Sequence, residues 1–230
     1  MRHRFLNTAL LFTVLFSQAA QAGNQYTELP AATAGNQQSK IQVIEFFAYG
    51  CGHCFDLEST INPWIEKLPA DVDFSRVPAM FGGIWDAHGR LFLTLQAMGV
   101  DDRVHQAVFL AVRERQRLST AQQMADFLQG HGVDKDRFLG TFSSFAVQAR
   151  VTHARQQIAA YEVTGVPAMV VNGKYRFDLS AGGAQGMLQL ADRLIDQERS
   201  GRRIVESGRN GLRAQEVAHI IQKTVWLLSC

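Results

Sequence analysis

The hydrophobic residues of the chain follow the spacing of strands in some stretches and of helices in others. Ile41 to Phe47 is a short β-branched and aromatic run, which is typical of a buried strand. Val72 to Val77 alternates apolar and polar residues and predicts a second strand. Ala168 to Val171 and Lys174 to Phe177 enclose Asn172-Gly173, a dipeptide favoured in type I′ turns, so these segments predict a β-hairpin.

Helical spacing of apolar residues occurs in three other regions. Gly52 to Lys67 predicts a helix, which Pro63 should kink or split because proline lacks a backbone N–H. Gly82 to about Tyr161 predicts several helices and no strand, and Gly186 to Arg199 predicts one more. Within the middle region, glycines are expected to separate the helices at Gly99, Gly130-His131-Gly132 and Gly140. Ser119-Thr120-Ala121-Gln122 in the same region resembles a capping box, which begins a helix.

The order of these elements predicts an α/β fold. A strand, a helix and a strand suggest one half of a mixed sheet, and the later hairpin with its helix suggests the other half. We therefore expect a sheet-containing unit formed by residues 23–81 and 162–199, with an all-helical insertion at 82–161. Ser200 to Gly211 is rich in Gly, Arg and Ser and predicts a linker, after which Leu212 to Leu228 could form an amphipathic helix.

Residues 1–22 differ in character from the rest of the chain. Arg2 and Arg4 precede an apolar stretch, and Ala20-Gln21-Ala22 is a small-residue cleavage signal. This pattern predicts a signal peptide that is removed before Gly23. A retained N-terminal anchor is the alternative, although a spanning helix needs about 18 or more apolar residues and this stretch has about a dozen.

The charge totals argue against binding of nucleic acid. Removal of the two arginines of the leader lowers Lys+Arg from 23 to the same number as the 21 Asp+Glu. The mature chain is therefore formally neutral, whereas proteins that follow a phosphate backbone usually carry a basic surplus.

The number and spacing of the cysteines indicate redox chemistry rather than a structural disulfide bond. The chain has three cysteines, Cys51, Cys54 and Cys230. A crosslink between the first two would close a minimal loop and would remove little chain entropy. Thiol–disulfide exchange, in contrast, needs an attacking thiolate with a second thiol close by. Cys230 could be a reactive thiol, an intermolecular crosslink point or an uninvolved tail residue.

The position of Cys51 favours its thiolate. If a helix begins directly after Cys51, unpaired N–H groups and the helix dipole stabilise negative charge on its sulfur, and Cys54 lies one turn inside. His53 adds a donor that can become cationic. We therefore expect the pKa of Cys51 to fall from about 8.5 to between about 3.5 and 7.5, which makes the disulfide oxidising.

Half of a zinc site is the alternative interpretation of two cysteines at this spacing. A complete site needs two more ligands, and the sequence has no second C-x-x-C and no H-x₃₋₅-H pattern. We therefore predict no metal and no organic cofactor. The remaining histidines show no spacing that indicates a site and are expected at surface or helix positions: His88, His105, His131, His153 and His219.

FFAYGCGHC (Phe46 to Cys54) and TGVPAMVVNGKY (Thr164 to Tyr175) together resemble motifs of the DsbA family of bacterial periplasmic dithiol oxidases. The resemblance covers about Gln25 to Arg199, and the signal peptide and helical insertion agree with it. It implies a thioredoxin fold, with a mixed central sheet flanked by helices and an inserted all-helical subdomain. It also implies a monomeric periplasmic thiol:disulfide oxidoreductase without stable membrane insertion.

The same resemblance implies partners. The Cys51–Cys54 disulfide would pass to reduced exported polypeptides through a mixed disulfide. A membrane quinone-linked protein of the DsbB type would then re-oxidise the pair.

Further site residues follow from the resemblance. Pro167 would follow a cis peptide bond beside the redox pair, and Val166 with Pro167 would pair with the extended substrate chain. Glu45, an acid on an otherwise apolar strand, would move protons for Cys54 together with the basic residue at position 76. The family has lysine there, whereas Arg76 stays charged and is expected to hold Glu45 ionised. A purely structural ion pair is the alternative.

Gly52 departs from the family pattern, which commonly has proline between the cysteine and the histidine. Glycine restores backbone freedom and an N–H, so the oxidising strength stays open. Because Cys-Gly-His-Cys is typical of protein disulfide isomerases, an isomerase or reductase is the alternative function at this site. Dedicated bacterial isomerases carry a dimerisation domain, for which Gly23 to Lys40 is too short. A non-catalytic thioredoxin-like binding or chaperone module is the alternative from another class.

Overall fold

A five-stranded mixed sheet lies at the centre of the structure, a computed structural model that describes residues 25–30 and 40–203. The strands are β1 (Thr27–Glu28), β2 (Ile41–Phe47), β3 (Val72–Pro78), β4 (Ala168–Val171) and β5 (Tyr175–Asp178). Their spatial order is β1-β5-β4-β2-β3. Only β2 and β3 pair in parallel, and the other neighbours are antiparallel. The mixed sheet and the strands predicted from Ile41, Val72 and Ala168 are confirmed.

The helices cover both faces of this sheet. The connection from β2 to β3 is α1 (Gly52–Ile65). Between β3 and β4 the chain is helical, with α2 (Ile84–Met98), α3 (Asp101–Arg113), α4 (Ala121–Gln129), α5 (Lys135–Phe142) and α6 (Phe145–Ala160). After β5, a 3-10 turn (Leu179–Ala181) precedes α7, which covers residues 183–203. None of the helices within residues 25–30 and 40–203 has the length and apolar character needed to cross a membrane.

Strand β2 is buried on both faces, which explains why five of its seven residues are apolar. Phe46 and Phe47 belong to a buried cluster shared with α2 to α6, whereas Ile41 and Val43 belong to a second cluster shared with α1 and α7. Glu45 is the one charged residue of this strand and is fully buried. The fold therefore places a carboxyl group inside an apolar interior, directly before the Cys51–Cys54 segment.

The predicted hairpin is confirmed in its register and its turn. β4 and β5 pair antiparallel with Val171 opposite Tyr175, so Asn172 and Gly173 lie within the turn. Both residues have positive φ, 51° and 68°, which is what a type I′ turn requires.

Three local predictions differ in detail from the structure. Pro63 lies inside α1 without splitting it, so the helix continues to Ile65 although proline has no N–H to donate. Gly140 lies within α5 instead of ending a helix. The capping box is one residue later than predicted, because Thr120 accepts from the Gln123 N–H at 3.3 Å and the Gln123 side chain accepts from Thr120 N–H.

The predicted linker from Ser200 is wrong for its first four residues, which continue α7. Ser200 Oγ donates to the Asp196 carbonyl at 2.9 Å, and Arg202 donates to the Lys40 carbonyl at 3.0 Å. The first contact lies within the helix, and the second holds the end of the helix against the start of β2. The predicted signal peptide (1–22), the helix at Leu212 to Leu228, His219 and Cys230 lie outside the described residues.

Candidate active site

Cys51 is the N-cap residue of α1. Strand β2 ends at Phe47, and the chain turns through a Cys51 N–H to Ala48 carbonyl bond of 3.0 Å. Cys51 has extended backbone angles (φ −91°, ψ 116°), and its sulfur accepts from the Cys54 N–H at 3.3 Å. The sulfur thus occupies the place that a serine or aspartate oxygen has in an ordinary N-cap. Both Cys51 and Cys54 carry free thiols.

This geometry stabilises the thiolate of Cys51. The Cys54 thiol donates to the Cys51 sulfur and, against the opposing effect of burial, helps to lower the pKa of Cys51 to about 6. The backbone N–H groups of Cys54 and His53 add to this effect, and the charge of His53 contributes last. Backbone and thiol donors therefore matter more than the histidine charge. Cys51 is half-buried, whereas His53 and Gly52 are exposed.

Cys54 has the opposite preference. Its hydrogen bond to Cys51 raises its pKa far above the ordinary value, and burial and the neighbouring Cys51 charge act in the same direction. The side chain is fully buried. Cys54 therefore remains a thiol at neutral pH and needs a proton acceptor before it can act as a nucleophile.

Val166 and Pro167 lie beside Cys51. The Cys51 thiol donates to the Val166 carbonyl at 3.4 Å, and the Val166–Pro167 peptide bond is cis. Pro167 is buried and leads directly into β4, which pairs with β2. The sheet thus holds the Val166 backbone next to the redox sulfur although the two residues are distant in sequence.

Glu45 and Arg76 form a buried ion pair between neighbouring strands. They are partners in the β2–β3 register, and Arg76 Nε donates to Glu45 Oε2 at 2.8 Å. Burial nevertheless raises the pKa of Glu45 to about 7, against the opposing charge of Arg76. The expectation that Arg76 holds Glu45 ionised stays a prediction, because removal of the carboxyl from water opposes the cation and brings the pKa near neutral. Glu45 Oε1 has no hydrogen-bond partner among the described residues.

Arg76 also contacts α1. Its Nη2 atom lies 2.8 Å from Asn62 Oδ1 and 3.4 Å from Glu58 Oε1. Asn62 in turn donates to Glu58 Oε2 at 2.9 Å. Glu58 is buried, and its pKa is lowered because contacts with His105 and Arg76 outweigh the effect of burial. Two buried carboxyl groups, Glu45 and Glu58, therefore share one guanidinium. The pKa of Glu45 is raised, whereas that of Glu58 is lowered.

Four residues of this network were not predicted from the sequence: Tyr49, Glu58, Asn62 and His105. Tyr49 Oη lies 2.9 Å from His105 Nδ1, and both side chains are buried. The available signal was a polar residue on an apolar helix face. Glu58 follows Cys54 by one turn, and His105 lies on the face of α3 that also carries Val108 and Phe109. The other predicted site residues come together as described, with Glu45 acting on Cys54 through its charge.

The arrangement can perform thiol–disulfide exchange. It contains an accessible sulfur that is stable as an anion, a buried thiol in contact with it, and a buried carboxyl group whose pKa is near neutral. Within residues 25–30 and 40–203, no group of three or more His, Cys, Asp and Glu side chains is placed to hold a metal ion.

Comparison with known proteins places this geometry in context. The "DSBA-like thioredoxin domain" family matches residues 67–195. The thiol:disulfide interchange protein DsbA of Pseudomonas aeruginosa is 53% identical over 207 residues, which cover 87% of this chain and 98% of that protein. The protein of the same name from Pseudomonas syringae pv. tomato is 54% identical over 208 residues, covering 87% and 97%.

A solved structure agrees with these relatives. The crystal structure of Pseudomonas aeruginosa DsbA superposes with a TM-score of 0.75 at 54% sequence identity, covering 78% of this chain and 94% of that one. The similarity therefore extends over nearly the whole length of each of these proteins.

Proposed function

The chain belongs to the DsbA family of thiol:disulfide interchange proteins and is a thiol:disulfide oxidoreductase with a thioredoxin fold, and we propose that it donates the Cys51–Cys54 disulfide to proteins exported to the periplasm. Cys51 is the sulfur that substrates attack, and Cys54 is the sulfur that leaves; Cys54 attacks the mixed disulfide only in the reverse direction or during re-oxidation. The observation that carries this proposal is the stabilised thiolate of Cys51 at the N-terminus of α1.

The reaction proceeds in two exchanges. A substrate thiolate attacks Cys51 of the oxidised pair, the Cys51–Cys54 bond breaks, and Cys54 leaves and takes up a proton. The second substrate thiol then loses its proton to solvent and attacks the substrate sulfur of the mixed disulfide, so that Cys51 leaves as a thiolate. The substrate dithiol is oxidised by two electrons and the protein pair is reduced. Because a good leaving group is a weakly basic one, the low pKa of Cys51 favours this direction.

Val166 and Pro167 position the substrate in this proposal. The Val166 carbonyl is already within 3.4 Å of the Cys51 sulfur. An extended peptide that pairs with the backbone of Val166 would therefore bring its own cysteine close to Cys51. Backbone pairing of this kind accepts many sequences, which suits a protein that acts on diverse unfolded chains.

Glu45 accepts and returns the proton of Cys54, and Arg76 positions the Glu45 carboxyl group. Guanidinium groups do not lose their proton in proteins, so Arg76 itself does not carry one. A carboxyl with a pKa of about 7 can both accept and return a proton at neutral pH. Re-oxidation by a membrane quinone-linked protein of the DsbB type completes the cycle, without a metal or organic cofactor in this chain.

Oxidation of a reduced dithiol peptide by the purified, pre-oxidised protein tests this function. We expect stoichiometric disulfide transfer by the wild type and none by Cys51→Ser. Cys54→Ser should accumulate a mixed disulfide through Cys51 when it meets a substrate disulfide. Equal activity of wild type and Cys51→Ser would refute the proposal. Faster repair of a scrambled protein than oxidation of a reduced one would instead favour an isomerase, and peptide binding that survives loss of both cysteines would favour a binding module.

A further inference from the structure

Three buried polar side chains outside the redox pair connect the inserted helices to the active site. They are Tyr49, from the turn after β2, His105, from α3, and Glu58, from α1. Tyr49 Oη lies 2.9 Å from His105 Nδ1, and His105 Nε2 lies 3.5 Å from Glu58 Oε1. We propose that His105 is a positioning residue of the resolving step, which fixes the Glu58 carboxylate so that Glu45 takes the proton of Cys54. This inference rests on the oxidoreductase function proposed above.

The His105 ring lies between a hydroxyl group and a carboxyl group. Burial raises the pKa of Tyr49 well above its ordinary value, so its hydroxyl stays protonated and is available to donate to Nδ1. Nε2 faces Glu58, and a proton on this nitrogen points towards the carboxylate. Nε2 has no hydrogen-bond partner closer than this carboxylate among the described residues. The rings of Phe47 and Phe109 lie 5.1 and 5.0 Å from the His105 ring and restrict its movement.

The contact with His105 makes the two carboxyl groups different. Glu58 gains donors from His105, Asn62 and Arg76, whereas the side chain of Glu45 has Arg76 as its one donor among residues 25–30 and 40–203. Glu58 is thereby held as an anion, and its charge raises the pKa of Glu45, after the larger effect of burial. Two neighbouring carboxyl groups with opposite shifts are the usual sign that one is the proton carrier and the other is a fixed charge.

The charged and titratable groups that act on Glu45 or on its neighbours come from several elements. Arg76 from β3, with Glu58 and Cys54 from α1, interact with Glu45 itself, whereas His105 from α3 contacts Glu58, and Asp101 acts on Tyr49. Arg76 lies between both carboxylates, so a change in Glu58 reaches Glu45 directly through the shared guanidinium.

The step under control is resolution of a mixed disulfide between Cys51 and a partner thiol. The S–H bond of Cys54 breaks and its proton moves to the Glu45 carboxylate. The Cys54 sulfur then forms a bond with the Cys51 sulfur, and the partner sulfur leaves as a thiolate with the electron pair. Attack by Cys51 on a disulfide, in contrast, needs no base, because Cys51 is already a thiolate above its pKa of about 6.

The proposal separates these two steps by their pH dependence. His105→Gln should lower the pH midpoint for Cys54-dependent release of the partner thiol by on the order of one unit. Without His105, Glu58 is easier to protonate, and the loss of its negative charge makes Glu45 more acidic. Release at neutral pH should slow several-fold because the base is weaker. The pH midpoint of Cys51 alkylation should stay unchanged.

The experiment uses stopped-flow reaction of the reduced full chain with a small aromatic disulfide, which separates mixed-disulfide formation from product release. Tyr49→Phe, which keeps the ring but removes the hydroxyl at His105 Nδ1, should shift the release profile in the same direction by less. His153→Gln, an exposed histidine of α6, is the matched control and should shift neither profile.

A His105→Gln protein that is less stable but keeps the wild-type release profile would overturn the inference, because its histidine would then be structural only. A shift of both profiles together would also overturn it, since the effect would not be specific to Cys54. Absence of any Cys51-dependent reaction in the wild type would instead remove the proposed function itself, so the two failures are distinguishable.

Discussion

Arg76 donates to Glu45 over 2.8 Å, and yet burial raises the pKa of Glu45 to about 7 instead of leaving it below the ordinary value of a carboxyl group. A carboxyl group paired with a guanidinium ordinarily has a depressed pKa. Here Glu45 is fully buried, Glu58 is a second negative charge nearby, and the same Arg76 is shared between both. The ion pair therefore fixes the position of the carboxyl group without removing its ability to bind a proton.

Substitutions at Cys54 and His53 test which neighbouring group lowers the pKa of Cys51 most. We expect the thiolate absorbance of the reduced protein to have its midpoint at a pH of about 6. Cys54→Ala should raise this midpoint more than His53→Ala does, because the Cys54 thiol is the strongest donor to the sulfur and the His53 charge is the weakest contribution. A larger effect of His53→Ala would contradict the backbone-and-thiol explanation.

Gly52 provides a second test of that explanation. Its N–H donates to no described group, and a Cβ at this position would meet no atom within 4 Å. Proline suits the first position of a helix, so Gly52→Pro should stabilise the reduced protein by about 0.4–1 kcal/mol in denaturant unfolding. Its Cys51 midpoint should move less than that of Cys54→Ala. Gly140→Pro, in the interior of α5, should destabilise by about 3 kcal/mol and serves as the contrast.

The raised pKa of Glu45 predicts an unusual dependence of stability on pH. A carboxyl group that binds protons more tightly when folded stabilises the protein fully below its unfolded pKa of 4.5, and this contribution is lost as pH rises through about 7. In the wild type, the free energy of unfolding should fall by on the order of 3 kcal/mol between pH 4.5 and about 7 because of this group, and Glu45→Gln should abolish that fall. Denaturant unfolding of both proteins at several pH values measures it, and the difference cancels the titration of Cys51.

Asp56→Asn is the control for this measurement. Asp56 is an exposed acid of α1, with 67% of its side chain accessible. Its substitution should leave the slope of stability against pH unchanged. Parallel slopes for the wild type and Glu45→Gln would show that Glu45 is ionised in the folded protein throughout this range.

We expect both lysine and an apolar side chain at position 76 to destabilise the protein. Its fork contacts Glu45, Glu58 and Asn62 at once, which one ammonium group does not reproduce. We expect Arg76→Lys to lower the free energy of unfolding by about 1–2 kcal/mol. Arg76→Met should cost about 3–5 kcal/mol at neutral pH and above, because it leaves the Glu58 charge without its cation.

Arg113→Met is the matched control for this prediction. Arg113 also pairs with an acid, Asp56, but both side chains are more than half exposed and lie 3.5 Å apart. Its substitution should change stability by less than about 1 kcal/mol. An equal effect of the Arg76 and Arg113 variants, measured by denaturant unfolding, would be inconsistent with a buried network.

The strands, the hairpin turn and the redox motif could be predicted from the sequence because each depends on neighbouring residues. Asn172-Gly173 favours its own turn, and a short segment such as β2, in which five of seven residues are β-branched or aromatic, is typical of a buried strand. Helix ends were less predictable, since contacts from distant residues decide them. Arg202, for example, reaches Lys40 and keeps α7 helical beyond Arg199.

The sequence by itself determined that Cys51 and Cys54 are one helical turn apart and that an acid lies on the strand before them. Only the tertiary structure decided what these groups do to one another. The pKa of Glu45 depends on how completely water is excluded and on Arg76 and Glu58, and the Glu58 charge depends on His105 from a helix of the inserted region. Solvent exclusion and Coulomb energy depend on separation in space, which local sequence patterns do not encode.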